Sequence, residues 1–199
     1  MPYVVGLTGG AGSGKSTVAR VLEECGAAIV DTDAIAHRLT GAGGAAMPAI
    51  ATAFGAELVD EAGGLHRPRM RELAFRDADA RGRLEAILHP AIRDASLAEV
   101  AECGDRVVVL VVPLLFEKMT YRPSLQRVVV VDCSLSTQIE RVSRRPGVGM
   151  DQARSIVLSQ IPRSVRLQLA DEVIHNEAGI EELAMTARAL FARVKQGKL

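Results

Sequence analysis

Short, unbroken runs of apolar residues alternate along the chain with stretches whose apolar residues recur at helical spacing. The runs at residues 3–7, 28–31, 107–112 and 128–131 lack polar alternation, which is typical of strands buried on both faces of a parallel sheet. Residues 173–174 supply a candidate fifth strand. Because helical segments connect these runs, the pattern predicts an α/β fold with a three-layer core and a parallel sheet.

The segments between the apolar runs differ in kind. Residues 16–24 predict an amphipathic helix that Gly26 is placed to end, and residues 180–194 predict a closing helix. Residues 141–163 are rich in arginine and are interrupted by Pro146 and the glycines that follow it. This composition indicates a small insertion and not part of the central core.

A long, mostly helical stretch separates the second and third apolar runs. Residues 67–76 and 80–88 predict helices, and Pro90 suits the first turn of a further helix that reaches about Glu102. Since the stretch is too long for a simple crossover, we interpret residues 34–104 as an inserted helical subdomain.

Length and composition limit the class of protein. A chain of 199 residues can build one well-buried core but not two independent domains of ordinary size. A formal net charge of zero supplies no field that would draw the chain to nucleic acid or to an anionic membrane. The apolar runs are far too short to span a bilayer, and the first residues lack a signal-peptide pattern. Three cysteines scattered along the chain suit a reducing compartment. We therefore expect a cytoplasmic protein without a nucleic-acid or membrane partner.

A glycine-rich loop follows the first predicted strand directly. Residues 9–17 match the pattern GxxxxGK[ST], with an amphipathic helix after it. Such glycines let successive backbone N–H groups point at phosphate oxygens, and the helix N-terminus adds its positive end. Lys15 is expected to reach the β- and γ-phosphates of ATP, and the Ser16 hydroxyl to ligate Mg²⁺. The residues of the loop predicted to bind ATP are Gly10, Ala11, Gly12, Ser13, Gly14, Lys15, Ser16 and Thr17.

The phosphate loop does not by itself say what is done with the nucleotide. A regulatory GTPase would need an NKxD-type element to read guanine, but the only asparagine is Asn176, followed by Glu and Ala. A transport-type ATPase would end a core strand with a carboxylate for Mg²⁺ and water. The third apolar run ends in Pro113, whereas the fourth ends in Asp132, which leaves that alternative open.

Candidate residues for binding a phosphoryl acceptor lie outside the loop. Asp33 follows the second strand, at the edge where α/β sheets bind ligands, and could orient an attacking hydroxyl or cap a helix that begins at Ala34. His89 is predicted to lie at a helix start and Arg93 one turn later. They could bind phosphate or ribose oxygens, or be a capping histidine and a solvated arginine.

Three arginines, Arg141, Arg144 and Arg145, occupy one helical stretch of the second insertion. A lid that closes over ATP brings arginines to the transferring phosphoryl group. A cluster of this kind can equally be a solvated helix face, and the spacing alone does not decide between the two.

Several segments together resemble one family, the dephospho-coenzyme A kinases. They are the loop from Leu7 to Thr17, Asp31-Thr-Asp33, Leu88-His-Pro-Ala-Ile92, Val112-Pro-Leu-Leu-Phe-Glu117, Gln138-Ile-Glu-Arg141, Gln160-Ile-Pro162 and Ala170-Asp-Glu-Val-Ile-His-Asn176. They stand in family order and spacing from Tyr3 to about Gly179. The loop is generic, but the His-Pro and Pro-Leu-Leu-Phe-Glu segments are specific in combination.

The resemblance implies ATP- and Mg²⁺-dependent phosphorylation of the ribose 3′-hydroxyl of dephospho-CoA, the last step of coenzyme A synthesis. It implies a nucleotide-binding core at residues 1–33, 105–140 and 164–199, an acceptor-binding subdomain at 34–104 and a lid at 141–163. Asp33 would match the family's catalytic carboxylate and act with Lys15. The acceptor would be lined by Asp33, His89, Arg93, Pro113, Leu114, Leu115 and Phe116, and ATP would also contact Arg141, Arg145 and Asn176.

The sequence departs from the family pattern at one position, and two rival functions remain open. Pro146 stands where the family usually has Asp after the lid arginine, which leaves open whether Arg144 or Arg145 acts there. The rivals are another small-molecule kinase, similar to shikimate or gluconate kinase, and a non-catalytic ATP-binding module. Shikimate kinases have a glycine-rich anion loop after strand three, whereas here Pro113-Leu-Leu presents an apolar surface suited to a large substrate. The sequence does not indicate an oligomeric state.

Overall fold

Five strands form one sheet, and valines make up most of its inner strands. The computed structural model describes residues 2–118 and 120–197, without the side chain of Lys118. The sheet has the order β2-β3-β1-β4-β5, and the pairings of β1 with β3 and β4, and of β4 with β5, are parallel. The strands are β1 (Tyr3–Gly9), β2 (Ala28–Asp31), β3 (Val107–Val111), β4 (Arg127–Asp132) and β5 (Glu172–His175).

Helices connect the strands, as the alternation of patterns predicts. Two short 3₁₀ helices lie at Ala56–Leu58 and Arg122–Ser124. The α-helices are α1 (Lys15–Glu24), α2 (Thr32–Leu39), α3 (Met47–Phe54), α4 (Arg67–Arg76), α5 (Ala78–Glu102), α6 (Leu115–Lys118), α7 (Leu135–Ser143), α8 (Met150–Leu158), α9 (Arg163–Gln168) and α10 (Ile180–Lys195). The predicted α/β fold is confirmed.

The chain divides into two compact units. The first comprises the residues up to Val30 and from Glu99 onward, and the second comprises Asp31–Ala98. In the first unit, side chains of β1, β3 and β4 pack with α1 and α10, so that the strand before the phosphate loop and the helix after it share one core. Buried apolar area of this kind is the main source of stability.

The second unit has its own apolar core. Ile50, Phe54 and Met70 are buried there, and the Arg83 guanidinium lies 4.8 Å from the centre of the Phe54 ring. The assignment of residues 34–104 to acceptor binding, like that of residues 141–163 to a lid, stays a prediction.

The helix break predicted at Pro90 is wrong. Residues 80–88 and the segment after Pro90 belong to one continuous helix, α5, with Pro90 inside it. A proline lacks the N–H that would bond the carbonyl of Ala86, one turn earlier. Both Pro90 and Ala86 are exposed, so water can satisfy that carbonyl and the helix continues.

Candidate functional site

The phosphate loop joins β1 to α1 through a backbone that only glycine adopts easily. Gly14 caps the N-terminus of α1 with φ 102°, in the left-handed region, and a Cβ added there would lie 2.3 Å from Asn176 Nδ2. The backbone N–H of Ser13 donates to the Gly10 carbonyl at 3.1 Å, which closes the first turn of the loop. The glycine pattern thus places the loop against the N-terminus of α1, where the helix dipole favours an anion.

Two of the residues predicted to bind ATP contact the loop, Asn176 from the position directly after β5 and Arg141 from α7. Asn176 is buried, and its Nδ2 donates to the Ser13 carbonyl at 2.7 Å. Arg141 donates to the carbonyls of Gly12 at 3.4 Å and of Asn176 at 3.2 Å. The structure therefore brings these two side chains to the far half of the loop.

Lys15 and Ser16 occupy the first turn of α1. The Lys15 ammonium donates to the carbonyl of Gly9 at 2.6 Å and to that of Gly10 at 3.3 Å, so its charge lies over the start of the loop. Ser16 is exposed at the same helix end. An ammonium and a hydroxyl at this end of the helix are the groups that a phosphate chain with Mg²⁺ requires.

The carboxylate at the end of β4 is already paired. Asp132 is buried, and Arg163 donates to both of its oxygens, from Nε at 2.9 and 3.1 Å and from Nη2 at 2.6 Å. This hydrogen bond raises the pKa of Arg163, and His175 Nδ1 lies 3.6 Å from the same carboxylate. Because both oxygens are engaged, Asp132 is a poor ligand for Mg²⁺ or hydrolytic water, which weakens the ATPase alternative.

The segment between α8 and α9 connects three parts of the first unit. Gln160 Oε1 accepts the backbone N–H of Ala11 at 2.8 Å, inside the phosphate loop. The backbone N–H of Ile161 donates to Glu117 Oε1 at 3.2 Å, in α6, and Arg163 reaches β4 as described. This segment therefore ties the base of the predicted lid to the loop and to the segment after β3.

The arginine-rich insertion has an apolar centre. Val142, Ala153 and Val157 are buried together between α7 and α8, with Ala11 of the loop packed against them. Arg144 pairs with Glu140 on an exposed face, which is worth little in stability. Arg145 lies in the turn after α7 and is exposed, so the choice between Arg144 and Arg145 stays open.

The apolar segment after β3 is only partly available to a ligand. Leu115 and Phe116 are buried, whereas Leu114 is 45% exposed. Thr8 Oγ1 donates to the Pro113 carbonyl at 3.4 Å, which holds the segment beside β1. Of the four residues predicted to line the acceptor here, Leu114 offers the most apolar surface.

In the second unit, Asp33 is not a helix cap. The N-cap of α2 is Asp31, whose side chain accepts the backbone N–H groups of Asp33 at 2.8 Å and Ala34 at 3.4 Å. The alternative role of Asp33 as the cap of a helix beginning at Ala34 is therefore wrong. Its carboxylate is exposed in the first turn of α2.

His89 and Arg93 lie in the middle of α5, and the helix start predicted at His89 is wrong for the reason given for Pro90. Four residues apart, they lie on the same face of the helix, and both are exposed. Arg93 donates from Nε and Nη2 to Asp94 Oδ1 at 3.1 and 3.0 Å. A capping role for His89 is excluded by its position.

The sequence does not single out four buried or half-buried polar residues around the loop. Gln138 and Gln160 stand out only as parts of the family segments, and Arg163 and Arg166 carry no motif of their own. The available signal was an i, i+3 pair of arginines at the start of a short helix directly after Gln160-Ile-Pro162. That spacing does not reveal that Arg163 pairs with Asp132 in β4, or that Arg166 donates to the Ile161 carbonyl just before α9.

A model of the family described as dephospho-CoA kinase matches residues 3–182. The chain belongs to the dephospho-CoA kinase family. It is 50% identical over 188 residues to a dephospho-CoA kinase from Dechloromonas aromatica, covering 94% of this chain and 91% of the relative. The chain is thus a kinase with ATP as its phosphoryl donor, and the shikimate- and gluconate-kinase-like alternatives are not favoured.

Solved structures agree with the P-loop kinase fold. A dephospho-CoA kinase from Campylobacter jejuni has a TM-score of 0.75 at 23% identity, with all of both chains covered. A shikimate kinase from Acinetobacter baumannii, in complex with shikimate, has a TM-score of 0.58 at 20% identity and covers 100% of this chain and 96% of its own. Since both kinases share the architecture, the fold alone does not separate them, whereas the family match does. Within the described ranges, no helix is both long and apolar enough to cross a membrane.

Proposed function

We propose that this member of the dephospho-CoA kinase family transfers the γ-phosphoryl group of ATP to the ribose 3′-hydroxyl of dephospho-CoA. The products are CoA and ADP, and the reaction is the last step of coenzyme A synthesis. The family match over residues 3–182, together with an intact Lys15 and Ser16 in the loop, is the observation that carries the proposal.

The phosphate loop and Lys15 hold the phosphates of ATP in this proposal. Backbone N–H groups of the loop and the N-terminus of α1 bind the phosphate oxygens, while the Lys15 ammonium exchanges its carbonyl partners at Gly9 and Gly10 for phosphate. Arg141 and Asn176, which contact the loop, support the nucleotide from the side of α7 and β5. These roles follow from position and charge.

A Mg²⁺ ion fits the exposed hydroxyl of Ser16. Among the residues that the structure describes, no cluster of three or more His, Cys, Asp or Glu side chains could hold a metal by itself. Mg²⁺ does not require such a cluster, because it is commonly held by one or two protein oxygens together with substrate phosphates and water. When bound, the ion would supply neutralisation of charge on the transferring phosphoryl group.

Asp33 orients the acceptor hydroxyl in this proposal. Since Asp31 already caps α2, the Asp33 carboxylate is not required as the helix cap, and it lies exposed in the first turn of α2, which directly follows β2. A loose phosphoryl-transfer transition state requires little early deprotonation of the nucleophile, so much of this role is orientation of the 3′-hydroxyl. His89 and Arg93, on one face of α5, bind anionic groups of dephospho-CoA, and Leu114 contacts an apolar part of it.

Residues 141–163 act as the lid. Their arginines are expected to approach the phosphates when both substrates are bound, which would slow cleavage by trypsin within this segment. We expect ATP with dephospho-CoA to protect the segment more than either ligand alone. Equal cleavage rates with and without both ligands would remove the lid role.

An acceptor panel tests the proposed function. Purified protein is incubated with ATP and Mg²⁺ and with dephospho-CoA, shikimate, gluconate or no acceptor, and ADP is followed by a coupled assay. We expect ADP in amounts equal to the acceptor consumed with dephospho-CoA, and a low background elsewhere. Faster turnover with shikimate or gluconate would overturn the substrate assignment, and no turnover with any acceptor would favour a binding module.

A further inference from the structure

Two buried polar atoms face the first turn of the phosphate loop. Gln138 Oε1 and Arg166 Nη1 lie 2.2 and 2.8 Å from the point that a Cβ on Gly10 would occupy. Neither atom has a hydrogen-bond partner among the described residues, although Gln138 is 1% exposed and Arg166 is 5% exposed. Buried polar atoms without partners are uncommon in folded proteins and need a physical explanation.

Both side chains are fixed at their other ends. Gln138 Nε2 donates to the Cys133 carbonyl at 3.0 Å, at the entry to α7. Arg166 Nη2 donates to the Ile161 carbonyl at 2.9 Å, in the segment between α8 and α9. Gln138 Oε1 and Arg166 Nη1, which have no partner in the part of the chain that the structure describes, are thus held beside Gly10. A side chain at position 10 would therefore have to displace both groups, which favours glycine there.

The charge of Arg166 is costly for folding. Burial lowers its pKa, and no ion pair of its guanidinium occurs within the described parts of the chain. Glu117 and Asp132 act on it only through space, and Asp132 is already engaged by Arg163. A well-packed apolar side chain at this position would avoid the desolvation penalty that a buried guanidinium carries. The stability of the fold therefore does not account for an arginine here.

We propose that Arg166 is a positioning residue for phosphoryl transfer, which with Gln138 supports the turn at Gly10 and places a fixed positive charge behind the phosphate loop. Gln160 completes the support, because its Oε1 accepts the N–H of Ala11 at 2.8 Å. A charge in a region of low dielectric acts on nearby phosphate more strongly than one in water. Because these side chains already hold the loop before the reaction, the protein does not have to rearrange when charge develops on the phosphoryl group. The proposal rests on the proposed kinase function and assigns a further role within the same site.

The test compares Arg166→Met with Arg166→Lys, and uses Arg193→Met as the control. Arg193 lies on α10 and pairs with Glu172 at the surface, outside the loop and its support. For Arg166→Met we expect an unchanged or higher melting temperature, a kcat lower by about 10–100-fold and a raised KM for ATP, with the KM for dephospho-CoA unchanged. Arg166→Lys should recover part of the kcat, because it restores the charge, and Arg193→Met should match wild type in kinetics.

A purely structural arginine gives a different pattern. It would lower the melting temperature of Arg166→Met while leaving kcat and both KM values within about twofold of wild type, and that result overturns the proposal. Should Arg166→Met not fold, Gln138→Met tests the same support: the proposal expects a raised KM for ATP, and wild-type constants would overturn it. If the wild-type protein does not phosphorylate dephospho-CoA, that result refutes only the proposed function. The role of Arg166 is then tested by calorimetry, by comparing the affinity of wild type and Arg166→Met for a non-hydrolysable ATP analogue.

Discussion

Replacing Asp33 with Asn separates catalysis from helix stability, because the structure gives the capping role to its neighbour. The Asp31 side chain accepts the backbone N–H groups of Asp33 and Ala34, so α2 keeps its cap when Asp33 is changed. Asp33→Asn removes one charge from the first turn of α2 and leaves an amide of the same size.

The expected loss of stability in Asp33→Asn is small. A carboxylate in the first turn of a helix contributes about 0.3–1 kcal/mol through the helix dipole. For a chain of this size that corresponds to a fall in melting temperature of roughly 1–4 °C. If Asp33 orients the 3′-hydroxyl, kcat should fall by roughly 10²–10⁴, equivalent to about 2.7–5.4 kcal/mol at the transition state. The amide oxygen retains some orientation, so the lower part of that range is expected, and Asp33→Ala should be slower still.

Asp31→Ala is the matched control. Loss of the cap should cost about 1 kcal/mol and lower the melting temperature by roughly 2–4 °C, while kcat stays within about tenfold of wild type. Both variants are measured by ADP formation with dephospho-CoA and by thermal melting beside wild type. An Asp33→Asn enzyme that turns over within about threefold of wild type would refute the reasoning, because the exposed carboxylate of α2 would then not take part in transfer.

Three further predictions concern the loop and its surroundings. Lys15→Ala should remain folded and lose about 10²–10³ in kcat, measured by ADP release, since it removes a charge from the transferring phosphoryl group; wild-type turnover would contradict this. Arg163→Met leaves the buried Asp132 carboxylate without its arginine partner and should lower the free energy of unfolding in urea by about 2–4 kcal/mol. The loss is smaller than for a fully buried pair because Arg163 is 40% exposed. An unchanged urea midpoint would mean that the pair does not stabilise the fold. The backbone N–H of Ser134 lowers the pKa of Glu177, so its carboxylate contributes stability above about pH 4.3 and loses it as pH falls through the folded pKa. Glu177→Gln should therefore have a lower melting temperature than wild type at pH 7, and the difference should close as pH falls through the folded pKa of Glu177; a difference that is independent of pH would count against this bond.

The strands and the phosphate loop could be predicted because their signals are local. The valine run of β3 has no polar alternation, and the spacing of glycines before Lys15 determines a loop and a helix start within a few residues. The same holds for Asp33, whose place after β2 follows from the order of elements. The sequence does not show which of Asp31 and Asp33 caps α2, because both are acceptable N-caps by residue type.

The contacts around the loop could not be predicted because they join elements that are distant in sequence. Arg163 meets Asp132 across 31 residues, and Gln160 meets Ala11 across 149. Nothing in the residues near either partner specifies the other, since the pairing depends on how α9 and the loop pack in the folded unit. The prediction of a helix break at Pro90 failed because the sequence shows the lost backbone hydrogen bond but not that the freed Ala86 carbonyl is exposed, where water can satisfy it.

The identity of the transferred group and of the accepting atom tests the central claim most directly. Dephospho-CoA is incubated with the protein, Mg²⁺ and ATP labelled at the γ-phosphate, and the product is analysed by mass spectrometry and by phosphorus NMR. The account predicts one labelled phosphate per product molecule, attached at the ribose 3′-oxygen, with ADP formed in equal amount. Label released as inorganic phosphate, or a phosphate at any other position of the product, would contradict it.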